Sequence, residues 1–176
     1  MRFLRAAPVL VTGVMLALAG CDLASPVPSP AEAGGAVVSS VVDGDTLDVR
    51  LADGTKERVR LIGIDTPETH GAGGLRECFG AEATAHLRAL VPAGTPVRLV
   101  RDVEARDRYG RLLAYVYRAR DDLFVNLALA RDGMADLLTI APNVAHRDAL
   151  AAAAAEARRA DRGLWARCGG ADTPLG

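Results

Sequence analysis

From residue 36 onward the chain alternates apolar and polar side chains with a period of two. "AVVSSVV" (36–42), "TLDVRL" (46–51) and "KERVRLIGI" (56–64) each read as a β-strand. Asp43-Gly44 and Asp53-Gly54 separate them, and Asp-Gly between β-rich runs is a strong hairpin signal. A three-strand meander is therefore expected. The period then changes. In "FGAEATAHLRALV" (79–91), Ala83, Leu87, Leu90 and Val91 share one helical face, and "PAGTP" stops the helix. "VRLVRDV" (97–103) and "RLLAYVYRA" (111–119) return to strand periodicity across the charged loop "EARDRYG". Two more helices are predicted, one over 122–133 ending on Gly133 and an Ala-rich one over 145–163.

Five short strands, a helix after the third and two helices at the end predict an α+β domain. The commonest solution is a five-stranded antiparallel β-barrel of the OB-fold (oligonucleotide/oligosaccharide-binding) type, here with three α-helices. Composition agrees with one domain and a real core, since 50% of 176 residues are hydrophobic and 24% are charged. The formal net charge is −1, and it falls to −3 once Arg2 and Arg5 are set aside with the leader described next. That excludes the global positive field of a chromatin-type binder, so binding to a polyanion needs a local patch.

The start of the chain has the organisation of an export signal. Arg2 and Arg5 precede "AAPVLVTGVMLALAG" (6–20), whose roughly thirteen apolar residues suit a signal peptide and fall short of a membrane span. The run ends in "LAGC" (18–21), which resembles the bacterial lipoprotein signal, with Cys21 acylated as the first residue of the mature chain. Two alternatives stay open: cleavage after "ALA" (17–19) to release a soluble secreted protein, or an uncleaved anchor. The expectation is an extracytoplasmic, membrane-anchored lipoprotein of a bacterium, tethered through its lipid. Residues 22–35, rich in Pro, Ser and Ala, read as a linker spanning on the order of 40 Å, with a pro-segment as the alternative. The folded domain is placed at 36–168, and "GGADTPLG" (169–176) is expected to be a disordered tail. In an oxidising compartment Cys78 and Cys168 make an even pair. A disulfide between them would close a loop of about 90 residues, worth roughly 4–5 kcal/mol in the chain-entropy model, against the alternative of two buried thiols. Trp165 is expected to anchor the last helix in the core.

Three stretches carry candidate chemistry. In "DGDT" (43–46) Asp43-Gly44 makes the turn, but a second acid, Asp45, is not needed by a two-residue turn. In "RLIGIDTPET" (60–69), Arg60 sits among Val59, Leu61 and Ile62, so it is either solvated at an edge or held by a partner. Strict alternation would put Arg60 and Asp65 on opposite faces, so Gly63 is the candidate kink that lets both reach one site. Pro67 biases Thr66 to an extended backbone and turns its carbonyl outward. Asp45, Asp65 and that carbonyl would form a hard oxygen set suited to Ca²⁺ or Mg²⁺, with a merely capped, charged loop as the competing reading. In "DRYGR" (107–111), Arg111 opens a strand. Two guanidinium forks could hold a phosphodiester and stabilise its transition-state charge, leaving Glu68 as general base or positioner of the attacking water.

"VVDGDTLDV", "RLIGIDTPET", "FGAEA", "DRYGRLLAYVY", "VNLALARDGMA" and "GLW" occur in the order and spacing of the micrococcal nuclease (thermonuclease, staphylococcal-nuclease-like) family. The resemblance covers roughly residues 37–167. It implies the five-stranded barrel, hydrolysis of DNA and RNA to 3′-phosphate ends, and one Ca²⁺ ion held by Asp45, Asp65 and the Thr66 carbonyl. It further implies Arg60, Glu68 and Arg111 as the catalytic trio, with Arg108 and Tyr109 beside the bound nucleotide. A monomer is expected. Two departures stand out. "DLLTIAPN" (136–143) has no tyrosine where well-known members place aromatic residues against the base, and Lys56 is the only lysine. Both point to a weaker grip on substrate and an unusual salt optimum. His70, His86 and His146 fit no metal-ligand spacing, which sets aside a histidine-dependent nuclease. The rival function is a catalytically weak or inactive OB-fold lipoprotein that only binds nucleic acid; a purely structural envelope lipoprotein is the third reading.

Overall fold

The computed structural model describes residues 32–69, 76–171 and 173–175. Both Asp-Gly hairpins form. β1 (Glu32–Asp43), β2 (Thr46–Leu51) and β3 (Lys56–Leu61) make an antiparallel meander, in which Asp43 pairs with Thr46 and Thr46 with Arg60. β1 begins at Glu32, four residues inside the segment read as linker, and Glu32 pairs with Val100.

The third expected strand, 56–64, is split. Gly63 adopts φ +83°, a left-handed conformation that breaks the ladder after Leu61, and a short β4 (Gly63–Asp65) sets off in a new direction. A Cβ on Gly63 would also lie 2.4 Å from Leu150 Cδ1. The break is pinned from outside by Asn126, which is fully buried: its Nδ2 donates to the Ile62 carbonyl at 2.9 Å, and its Oδ1 accepts from Val116 N at 2.9 Å.

β5 (Pro96–Val100) and β6 (Leu112–Arg118) complete the ring in the order β3-β2-β1-β5-β6, closed by pairing β3 to β6. The barrel is antiparallel except at this closing seam, where Val59, Arg60 and Leu61 run parallel to Leu112, Leu113 and Ala114. The wholly antiparallel expectation is corrected at that point for a simple reason: strand directions cannot alternate around a closed ring with an odd number of members. Inward-facing Leu47, Val49, Val59, Leu61, Val97, Leu99 and Val116 fill the interior.

α1 (Gly80–Leu90) buries Ala83 and Leu87 as its spacing predicts. Leu123 and Phe124 form a short strand, β7, against the end of β6, so α2 (Val125–Arg131) starts later than the expected 122. β8 (Asp136–Leu138) pairs with β4, and α3 (Arg147–Arg159) follows. A fourth, one-turn helix, α4 (Leu164–Cys168), lies just beyond 163, where the last helix predicted from the sequence ends. It carries Trp165, which is buried with Ala157, Leu164 and Phe79 beneath the Arg158 guanidinium, so the tryptophan does anchor this end of the chain. Cys78 and Cys168 are joined, with their Cα atoms 5.9 Å apart. The bridge ties α4 to the start of α1. Residues 173–175, which the sequence reading places in a tail, also lie along this junction: Cys78 N donates to the Thr173 carbonyl and Leu175 N to the Arg76 carbonyl. The leader, including Cys21, and residues 22–31 of the linker lie outside the described residues.

Candidate active site

Arg60 is the penultimate residue of β3, on the face opposite Val59 and Leu61, where alternation turns it away from the barrel interior. It is nonetheless largely covered. Its guanidinium reaches Asp45 Oδ2 at 2.9 Å and Asp65 Oδ1 at 2.8 Å, and donates to the carbonyls of Leu61 at 2.7 Å and Ile64 at 3.0 Å. The kink at Gly63 is what brings Asp65 into range, as the sequence suggested.

Asp45 lies in the β1–β2 turn itself rather than at the start of β2. Asp43 closes the turn by accepting from Asp45 N at 3.2 Å. Asp45 is only 2% exposed. Its Oδ2 accepts from both the backbone N and the hydroxyl of Thr66, each at 3.1 Å, and its Oδ1 from the Thr46 hydroxyl at 3.1 Å. Gly44 makes this contact possible: a Cβ there would come within 2.5 Å of Thr66 Oγ1. Burial pushes the Asp45 carboxyl up to about 7, with Arg60 pulling it down and Asp43 and Asp65 adding to the rise.

Glu68 follows Pro67 and is held by a residue the sequence reading gave no role, Glu77. Glu68 N donates to Glu77 Oε2 at 2.7 Å, while Glu77 N donates back to the Glu68 carbonyl at 3.0 Å. The Glu68 carboxyl is raised by burial first, then by Asp43, Asp65 and Glu77, with Arg60 opposing. A base whose proton affinity is lifted above the ordinary carboxylate range is better matched to taking a proton from water.

Arg111 is held by another unforeseen partner. Asp107 accepts from Arg111 Nε at 2.6 Å and from its backbone N at 2.9 Å. Burial opposes ionisation of Asp107, but the hydrogen bonds from Arg111 prevail and hold its carboxyl below the usual range. Tyr109, 69% exposed, has two guanidiniums near its ring, that of Arg108 at 4.8 Å from the centroid and that of Arg111 at 5.7 Å. Arg108 also donates to the Tyr109 hydroxyl at 2.6 Å.

Two depressions meet at Tyr109 and Arg111. An open cleft of about 900 Å³ adds Glu68, and a narrower pocket of about 380 Å³ adds Arg60 and Arg108. Every catalytic and binding residue expected on the barrel is thus gathered at one place: Asp45, Arg60, Asp65 and Thr66 in one bonded unit, and Glu68, Arg108, Tyr109 and Arg111 around the adjoining hollows. The narrower pocket is also lined by Leu138 and Ile140, from the stretch without tyrosine.

The described histidines have structural surroundings. His86 Nε2 lies 3.1 Å from Asp132 Oδ2, and His146 packs edge-on against Tyr115 at 4.4 Å. His70 lies outside the described residues.

The family model for staphylococcal nuclease homologues matches residues 58–167. The chain belongs to the staphylococcal nuclease family. It is 38% identical over 131 residues to a thermonuclease of Staphylococcus intermedius, covering 74% of this chain and 76% of that one. It is 34% identical over 128 residues to a thermonuclease of Staphylococcus hyicus, covering 73% of each. Endonuclease YncB of Bacillus subtilis (strain 168) is 33% identical over 129 residues, 73% of this chain and 60% of that protein. The matched family span includes Arg60, Asp65, Thr66, Glu68, Arg108, Tyr109 and Arg111; Asp45 precedes it and reaches the site through the hairpin turn.

Proposed function

We propose that this protein is an exported nuclease that hydrolyses phosphodiester bonds of DNA and RNA, uses one Ca²⁺ ion and leaves 3′-phosphate ends. Nuclease activity is supported by membership of the family together with the complete set of residues at the site. One observation carries the reading: Arg60, paired with buried Asp45 and with Asp65, lines a pocket that shares Arg111 with the cleft containing Glu68.

The oxygen donors fit a hard divalent cation. Asp45 is a carboxylate in a place where burial opposes its charge, beside a second acid, and Asp65, with the Thr66 carbonyl, would complete the set. Among the described residues no group of three His, Cys, Asp or Glu side chains is placed to hold a metal, so the set depends on that main-chain oxygen. When bound, such an ion would offset phosphate charge and lower the pKa of a nearby water.

The side chains have separable roles. Arg60 and Arg111 would clamp the phosphate from two sides and meet the negative charge that develops on its oxygens. Glu68, with its proton affinity raised and its backbone fixed by Glu77, would accept or orient the proton of the attacking water. Arg108 and Tyr109 would lie along the neighbouring phosphate and sugar. Export is supported by the leader sequence and by the cysteine pair, and lipid attachment at Cys21 by the leader sequence alone.

The test is digestion of plasmid DNA and of RNA with Ca²⁺ and with a chelator, alongside Glu68→Gln. Cleavage that needs Ca²⁺, yields 3′-phosphates and is lost in Glu68→Gln with substrate binding kept supports the proposal. Unchanged cleavage in that variant removes the mechanism, and binding without any cleavage by the parent protein leaves the inactive-binder reading. Mass spectrometry of the mature N-terminus decides between acylation at Cys21 and release.

A further inference from the structure

The open cleft does not end at the reacting groups. It continues over the outer face of β2 and β3, where Arg60, Arg58 and Lys56 are alternate residues on one strand and therefore share a face. Opposite them, in register, stand Thr46, Asp48 and Arg50. The middle rung is neutralised: Arg58 grips Asp48 at 2.8 and 3.2 Å, and the Ser40 hydroxyl also donates to Asp48. The other acid along this wall, Glu57, is taken by Arg106 at 2.7 and 3.0 Å.

The outer rung is different. Arg50 and Lys56 are direct cross-strand partners of like charge, an arrangement that destabilises a sheet by itself. Among the described residues neither has a carboxylate within ion-pair distance. Arg50 makes a single long hydrogen bond, 3.3 Å to the Gly54 carbonyl, and both side chains are exposed. In a chain whose overall charge is slightly negative, two unneutralised cations are thus placed side by side in the cleft that contains Glu68 and Arg111.

We propose that Arg50 and Lys56 form a phosphate-binding subsite for the continuing strand of a single-stranded polynucleotide, remote from the bond that is cut. This rests on the hydrolytic reading above and adds to it a contact away from the reacting groups, made only by a strand long enough to reach Arg50 and Lys56. Four residues along a strand put Lys56 about 13 Å from Arg60, so the contacts fall on phosphates about two nucleotides from the reacting one. Contact there adds affinity without base preference, which suits a site whose narrower pocket is lined by aliphatic Leu138 and Ile140. It is the local patch that a slightly acidic chain needs for gripping a polyanion.

The test pairs Arg50→Ala/Lys56→Ala with the parent protein. Binding of a fluorescent single-stranded dodecanucleotide is measured in chelator across a salt series, and cleavage of that strand and of a dinucleotide is measured with Ca²⁺. Each phosphate contact on a single strand contributes about 0.7 to the slope of log affinity against log salt, so the variant's slope should be shallower by about 1.4. Affinity for the dodecanucleotide should fall roughly tenfold or more at low salt while kcat/KM on the dinucleotide is unchanged. A melting temperature equal to or above the parent's shows that the variant is folded, since a repulsion has been removed. An unchanged salt slope, or equal losses on both substrates, overturns the subsite. So does failure of the parent to bind the dodecanucleotide. A parent that binds with the full slope, loses it in the variant and cleaves nothing overturns the hydrolytic reading and leaves the subsite standing.

Discussion

Replacing Arg60 by methionine keeps most of the side chain's length and removes its charge. In the parent protein that charge faces Asp45, whose side chain is 3% exposed, and Asp65, whose side chain is 30% exposed. Burial already lifts the Asp45 carboxyl from 3.8 to about 7, and Arg60 is the strongest influence holding it down. Because the folded value lies above the unfolded one, the folded chain holds this proton more tightly, and stability declines as pH rises from about 4 to about 7. Without Arg60 the upper end of that window moves higher and the loss deepens. Removing one partner of a buried ion pair costs about 3–5 kcal/mol when the other stays charged, and protonating Asp45 relieves much of it. Arg60→Met should therefore lose about 3 kcal/mol near pH 8 and only about 1 kcal/mol near pH 5. The assay is urea unfolding in chelator, followed through the fluorescence of Trp165, which is the only tryptophan and is 7% exposed. Adding Asp45→Asn to Arg60→Met should recover about 2 kcal/mol near pH 8, the coupling expected of contacting charges. Equal losses at both pH values, or no recovery in the double variant, would show that the pair is not the buried unit described here.

Glu68→Gln should lower kcat by roughly 10²–10⁴ with oligonucleotide affinity nearly unchanged, measured on a defined single-stranded substrate. In the parent, activity should fade on the acid side at a pH above the ordinary glutamate range, because burial and then Asp43 raise the Glu68 carboxyl and the ionised form is the one that works. Chelation should abolish cleavage, and adding Ca²⁺ should raise the melting temperature more near pH 8 than near pH 5, since the ion binds ionised Asp45. Cys78→Ser with Cys168→Ser frees a 90-residue separation and should cost about 4–5 kcal/mol in urea unfolding by the chain-entropy model. The same variant should lose kcat more than KM, because Glu77, which holds Glu68, is the neighbour of Cys78.

Much of the barrel was legible because its strands are amphipathic and its turns carry Asp-Gly. The strand and helix periods located β1 to β3, β5, β6 and the three long helices within a few residues. The split at Gly63 was visible as an inconsistency: Arg60 and Asp65 have the wrong parity for one face unless something bends between them. Less could be read of the groups that hold the functional side chains. Glu77 meets Glu68 from nine residues along the chain, and nothing in its local sequence distinguishes it from any exposed acid. Asp107 was in plain sight in "DRYGR", four residues before Arg111, but a single spacing does not separate a tether from a solvated turn. β7 escaped because two residues, Leu123 and Phe124, are too few to show a period, and the pairing that makes them a strand is with β6.

The amide of Asn126 has a further implication. One side chain on α2 grips the bend at Ile62 with one end and β6 with the other, so this helix and the geometry at Arg60 and Asp65 belong to a single cooperative unit. Warming that loosens α2 would release the bend and part Asp65 from Arg60 while the five-stranded ring still stood. Enzymatic output would then vanish at a lower temperature than β-structure does, and what heat inactivates first would be the hinge and not the scaffold.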